Sequence, residues 1–448
     1  MRLLRLSATS GRPALVRSWS GRVTGWIGHL RGYIAPTGLN DTELNARLLE
    51  IEVFWAAFLS AAAAFNSAYA LRLGATNAQI GLLSSIPALI TLVITIPAGQ
   101  FLNRRARRMP WVIWSLALAR LGYLMVALIP FLNRPDAGTL VVWTLIGLSA
   151  PAAFFGVGWN SMLADVVPEA KRARLFAVRN IVLAFVVTAG TFIAGRWLGM
   201  ARFPLNYQVV YLVGFFGSVL STIYIMQMRV PDSPVTAVST ASLSPRALWL
   251  GGREAFRQQP DFTRIVINTL AHGIGLWMVG PVYVLYYVRQ LGASDGWIGT
   301  NAMVANLTPI IGYYFWQRVI AQRGEKWVLR LTISLIGLYP VLVGLTPNLT
   351  IILLWTALQG LIAPGINLGH FPLLLKICPA ESRPLYIGIY TTIMNLGAFV
   401  MPLVGVALTG WVGYAPVLVA GGVLCLLGSS LFRWRPLQTA DSLAARQG

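Results

Sequence analysis

Acidic side chains are scarce in this sequence: 14 of its 448 residues are Asp or Glu, against 35 Lys or Arg. Charged residues of both signs reach only 11%, whereas soluble domains carry roughly 25%. Since 56% of the residues are hydrophobic, a water-soluble fold would lack the polar coat to hide them. Cysteine is nearly absent as well. Cys378 lies beside a basic loop and Cys425 inside an apolar run, so no disulfide framework is implied and both read as packing residues. No G-x-x-x-x-G-K-[ST] phosphate loop, H-E-x-x-H pair, Cys/His cluster or G-x-S-x-G elbow occurs. Nothing therefore points to an ATPase, a metal centre, a bound cofactor or an enzyme.

What the chain has in place of charge is long apolar runs. A helix needs roughly 20 apolar residues to cross a hydrocarbon core, and such runs recur at 51–71, 78–101, 110–132, 139–164, 180–200, 207–228, 264–287, 296–317, 327–346, 350–375, 385–409 and 413–432. Backbone groups inside a bilayer must be satisfied within the segment, so these are helices. The sequence predicts an all-α membrane protein with twelve spans.

The formal charge of +21 would suit a nucleic-acid binder if it formed one basic face. It does not. Basic residues cluster in alternate loops: Arg104, Arg105, Arg107 and Arg108 after span two, Lys171, Arg172, Arg174 and Arg179 after span four, and Arg318, Arg323, Lys326 and Arg330 after span eight. The intervening loops, around Arg72, Arg134, Arg202 and Arg289, hold one or two each. This alternation is the positive-inside pattern, so a nucleic-acid partner is excluded. Both termini are expected in the cytoplasm, with the bilayer as the protein's solvent.

Residues 1–48 form a basic N-terminal tail without an acid before Asp41. It fits a transit peptide, an interfacial helix or a disordered tail of a bacterial protein. Only three of the 35 basic residues are lysine, which favours coding bias over targeting. Residues 49–228 form a first six-span bundle and 263–433 a second. The Pro-, Ser- and Arg-rich segment 229–262 is a linker, and 434–448 a cytoplasmic tail.

The two bundles repeat one another. Leu73-Gly74 and Gly81 have counterparts in Leu291-Gly292 and Gly299; Gly147 and Pro151 of span four match Gly360 and Pro364 of span ten. Similar turns follow, "VVPEAKRARLF" and "ICPAESRPLYI". Paired repeats of this kind enclose a midplane cavity that opens alternately to either side. Pro151 and Pro364 are the expected helix hinges.

These features resemble the major facilitator superfamily from about residue 45 to 435. The family's G-x-x-x-D-R-x-G-R-R loop falls on Gly99 to Arg108, with Asn103 and Ala106 in place of the usual Asp and Gly. The second half keeps Trp316, Arg318, Arg323 and Gly324 but has Ala321 at the Asp position. The stretch Gly158–Asn180 is similar to bacterial members of unassigned substrate. The resemblance implies two pseudo-symmetric six-helix bundles that work as a secondary transporter in the bacterial inner membrane. It also implies a cytoplasmic gate of Gly99, Asn103, Arg104, Arg107, Asp165, Arg318 and Arg323, in which Arg107 reaches Asp165 and Asn103 caps span eleven. Arg105 and Arg108 are read as obeying the positive-inside rule alone.

Ionisable residues at mid-membrane depth are functional candidates because burying them is costly. Arg120 lies roughly 18 Å into span three by helical rise; it either binds an anionic substrate group or bonds neighbouring backbone. His272 and His370 are candidate sites for a coupling proton or ion. Asn66, Asn306, Asn367 and Asn395 complete the candidate pathway, with Asn66 and Asn367 favoured. No acid is expected in the middle of a span: Glu50, Glu52 and Asp165 are placed near cytoplasmic ends. The expected cargo is a small molecule. An amphipathic compound or organic anion moving outward is preferred, resting on the aromatic-rich, acid-poor membrane region with Arg120 and the scattered amides. Uptake of a neutral sugar or nucleoside, and a transporter-shaped receptor without flux, are the alternatives.

Overall fold

A computed structural model describes residues 40–167, 169–230, 245–379 and 382–434; side chains at 160, 164, 165, 169–173, 245–251 and 384 lie outside the description. Among the described residues there are only helices. The spans are Asp41–Ala63 continued by Asn66–Arg72, then Asn77–Asn103, Met109–Leu128, Ala137–Val166, Glu169–Met200 and Leu205–Met226 in the first half. The second half has Pro260–Leu285, Asp295–Arg323, Glu325–Ile336 continued by Leu338–Leu345, Leu349–Ile377, Arg383–Val412 and Tyr414–Trp434. Eleven of these helices are long and apolar enough to cross a membrane. The remaining one, Asp295–Arg323, is longer than most but is diluted by Asn, Thr and its terminal arginines.

Span one begins ten residues before the sequence predicts. Asn40 caps it by accepting a bond from the Glu43 amide (2.9 Å), and Asp41 and Glu43 face the positive end of the helix dipole. Leu44, Leu48 and Leu49 then bury the first turns against Met162, Leu163, Val166 and Ile225. Part of the expected tail thus belongs to the bundle. The linker likewise contains a helix, Pro245–Gln258, whose Ala255 packs with Phe262 and Tyr386. The expected hinges stand inside unbroken helices, Pro151 in span four and Pro364 in span ten. The helical breaks lie elsewhere, at residues 64–65 of span one and Gly337 of span nine.

Within each half, span one packs on spans five and six, span four on two and three, span seven on eleven and twelve, and span ten on eight and nine. The halves join through span two against eleven and span five against eight. At the second crossing a Cβ on Gly195 or Gly299 would come within 2.7 Å of the other glycine's Cα, so only glycine permits this approach.

The halves meet mainly at the face opposite the basic loops. There one apolar cluster holds Tyr69, Ile80, Leu198 and Tyr207 of the first half together with Leu285 and Val406 of the second. Near the basic loops the clusters stay within their own halves, one among Leu44–Val230 and another among Ala255–Phe432. The two halves therefore splay toward the basic face.

Candidate functional site

The first half buries a charge network that the sequence does not announce. With span one starting at Asp41, Glu52 sits eleven residues into the helix and is 2% exposed, inside the bundle rather than at its edge. Its carboxylate accepts from Arg179 of span five (2.5 Å) and from the Ser221 hydroxyl of span six (2.8 Å). Arg179 also donates to the Leu49 carbonyl (2.7 Å) and lies over the Trp159 ring. Arg120 joins from span three: it donates to the Ser218 carbonyl (2.5 Å), to Ser221 Oγ (2.8 Å) and to Thr222 Oγ1. Buried charges persist when paired and hydrogen-bonded, as these are. The donors of Arg120 that would have received an anionic substrate are turned into the protein. An N-cap signal at Asn40, with an acid three residues on, could have extended span one and revealed Glu52.

The second half distributes its polar groups differently. His370 of span ten shares a 2.8 Å hydrogen bond with Thr269 of span seven, and its ring stands 5.9 Å from that of Tyr390 on span eleven. One turn away, Asn367 donates to the Tyr313 hydroxyl of span eight (3.1 Å), and both residues are exposed. Asn395 and Asn306 are half-exposed and donate only along their own helices, to the Thr391 carbonyl (2.9 Å) and the Ala302 carbonyl (2.7 Å). Each keeps its amide oxygen for another donor. Amides at mid-span that faced lipid would lose hydrogen bonds, so such groups cost least where they meet water. Thr269, Tyr313 and Tyr390 carry no charge and no motif, which is why sequence reasoning passed over them.

Two candidates stand apart from this group. His272 is 5% exposed and bonds Ser429 Oγ (2.8 Å) and Cys425 Sγ (3.2 Å) on span twelve. Asn66 follows the break in span one, accepting from Tyr211 (2.9 Å) and donating to Tyr123 (3.4 Å). It belongs to the tyrosine-rich closed side of the first half, where Tyr69 stacks on Tyr207.

At the basic face Asn103 ends span two, and span eleven begins at Arg383, after Ser382, with no side-chain cap, so the expected cap from Asn103 is not made. Arg318 lies over Tyr314 and Arg323 over Trp327, within their own half. Arg104 is exposed, and a Cβ on Gly99 would meet Val157 only at 3.8 Å. The expected bond from Arg107 to Asp165 falls on a side chain outside the described residues. Arg108, read as a topogenic charge alone, donates to Ser161 of span four (3.0 Å).

The family model of the Major Facilitator Superfamily matches residues 53–268 and 265–448. The chain belongs to the major facilitator superfamily. A Deinococcus radiodurans protein named "Putative sugar efflux transporter" is 22% identical over 386 residues, covering 84% of this chain and 93% of that protein. The structure of a POT family transporter in complex with 5-aminolevulinic acid superposes with a TM-score of 0.68 at 11% identity, over 87% of this chain and 95% of that one. A bacterial homologue of the human lysosomal transporter Spinster, inward-facing and unoccupied, gives 0.64 at 13% identity, over 88% and 96%. This chain is thus an integral membrane transporter of the superfamily, with the fold of two six-helix bundles.

Proposed function

We propose that the protein exports a neutral, hydroxyl-bearing solute of sugar type, and that the basic face is cytoplasmic. The carrying observation is the contrast between the halves. Arg120 and Arg179 are engaged within the first half, while the groups at the gap between the halves are amides, hydroxyls and an imidazole. Such groups match hydroxyls that both donate and accept, and among these described residues none carries a fixed charge for an organic anion. Arg120 therefore no longer favours the anionic cargo expected from the sequence. The sugar-efflux name of the Deinococcus radiodurans relative points the same way. The positive-inside rule places the gap, in this conformation, open to the cytoplasm.

The test is counterflow in proteoliposomes loaded with single sugars, with an organic anion of similar size as comparison. Uptake of labelled sugar that exceeds empty liposomes and falls at least tenfold in Asn367→Ala supports the reading. Exchange of the anion alone refutes it.

A further inference from the structure

The turns joining span one to two and span seven to eight share a local sequence, Leu73-Gly74-Ala75-Thr76 and Leu291-Gly292-Ala293-Ser294. Gly74 (φ +93°) and Gly292 (φ +63°) both take the left-handed conformation, which glycine enters without strain. Each turn then caps its following helix, Thr76 accepting from the Gln79 amide and Ser294 from the Trp297 amide, both at 3.2 Å. The two alanine amides turn back into the preceding helix, Ala75 to the Ala70 carbonyl (2.9 Å) and Ala293 to the Tyr287 carbonyl (2.8 Å). The alanine carbonyls are left to face the other half. Arg72 donates to the Ala293 carbonyl (2.8 Å), and Arg289 donates to the Ala75 carbonyl (2.6 Å). Each half thus offers one carbonyl at a repeat-equivalent position and one arginine close by, Arg72 one residue and Arg289 two residues before the Leu-Gly pair.

We propose that this reciprocal pair is a clasp holding the face opposite the basic loops shut, so that Arg72 and Arg289 are the residues that set how often it opens. The inference rests on the transporter reading given above. Backbone acceptors suit such a latch because the glycine turns hold them in place whatever side chains surround them. The guanidinium fork lets Arg72 take a second partner, and it pairs with Asp295 at 3.3 Å, whose side chain is 12% exposed. The repeat has Asn77 where Asp295 stands, and Asn77 donates instead to the Tyr414 hydroxyl (2.9 Å). The clasp is therefore symmetric in its carbonyl bonds and asymmetric in its ion pair, with the Arg72 side the stronger. The fully buried Tyr207 shields that side from solvent.

The experiment places spin labels on Asn133→Cys and Pro347→Cys, exposed loop positions of the two halves on this face, leaving the buried native cysteines in place. Electron-resonance distance distributions are compared in reconstituted protein. Loss of one charge-assisted bond should raise the ratio of separated to closed populations about tenfold in Arg289→Ala and more in Arg72→Ala, with the double variant close to the product. Asp295→Asn should fall below Arg72→Ala because the carbonyl bond survives. Arg134→Ala is the control, an arginine of the same face that bonds only its neighbour Asp136 (2.8 Å), and it should leave the ratio unchanged. If an alanine variant does not fold, Arg72→Gln and Arg289→Gln are read instead, with the same rank order expected. Ratios within twofold of the parent in all arginine variants overturn the clasp. Sugar counterflow on the same preparations separates the two readings. Distances that shift without any parent sugar flux uphold the clasp and sink the sugar-transport reading; flux with fixed distances does the reverse.

Discussion

Removing the carboxylate of Glu52 should destabilise the first half more than any other single change of charge. Glu52→Ala leaves Arg179, whose side chain is 13% exposed, facing an apolar bundle without its counter-charge, and it takes an acceptor from Ser221. Breaking a buried pair by deleting one partner costs about 3–5 kcal/mol. Arg179 keeps the Leu49 carbonyl and the Trp159 ring, which sets the expectation near the lower bound, at about 3 kcal/mol. If the six-helix half melts as a unit, that amounts to a fall of roughly 6–12 °C in Tm, at 2–4 °C per kcal/mol. Glu52→Gln keeps an oxygen for Ser221 and loses only the charge, so its fall should be about half as large. The assay is tryptophan fluorescence on heating the detergent-purified protein. The double variant Glu52→Leu with Arg179→Met, which removes both charges and restores apolar volume, should recover most of the loss. A Glu52→Ala protein melting within about 1 °C of the parent would refute the reasoning, since by the same scaling the pair would then contribute under roughly 0.5 kcal/mol.

The two histidines should separate in a combined melting and ligand-binding assay. His272→Ala, which strips a buried bond from Ser429 and Cys425, should lower stability by about 1–3 kcal/mol and leave sugar affinity unchanged. His370→Ala should weaken binding about tenfold or more, with a smaller fall in Tm, because its ring borders the gap beside Thr269 and Tyr390. Arg120→Met should leave sugar affinity and counterflow intact, since the acceptors it leaves keep other partners: the Ser218 carbonyl and the Thr222 hydroxyl bond each other, and the Ser221 hydroxyl bonds Glu52; a selective loss of binding would restore the anion-site expectation. Gly195→Val, which forces side-chain carbons into the 2.7 Å approach to Gly299, should part spans five and eight and expose the closed face to thiol reagents on cysteines placed there.

Much of the architecture was legible because the bilayer imposes a simple rule on composition. A span must be apolar for about 20 residues, so each span stands out as a run, and the loops between stand out by their arginines. The repeat was legible for a similar reason: Gly74 and Gly292 recur because both turns need a left-handed residue. The start of span one was missed because its first turns are amphipathic, burying Leu44, Leu48 and Leu49 against protein while Glu43, Arg47 and Glu50 interrupt the run. The same turns show Glu52 to be buried among helices rather than exposed at the start of one.

Sequence by itself determined that this chain is a twelve-span helical repeat protein with its positive charge on one face, because hydropathy, charge placement and turn glycines act locally along the chain. Only the tertiary structure decided which polar residues are available. Arg120 and His272 stand out in the sequence by their depths, yet spans six and twelve turn hydrogen-bond partners toward them; Asn367 meets a partner that leaves it exposed and His370 one that leaves it half-buried. The clasp likewise exists only in three dimensions, since its acceptors are main-chain carbonyls that every residue possesses. Rotation of each helix about its axis, set by packing against helices distant in sequence, chooses between these outcomes. A periodicity within one span carries no record of that rotation.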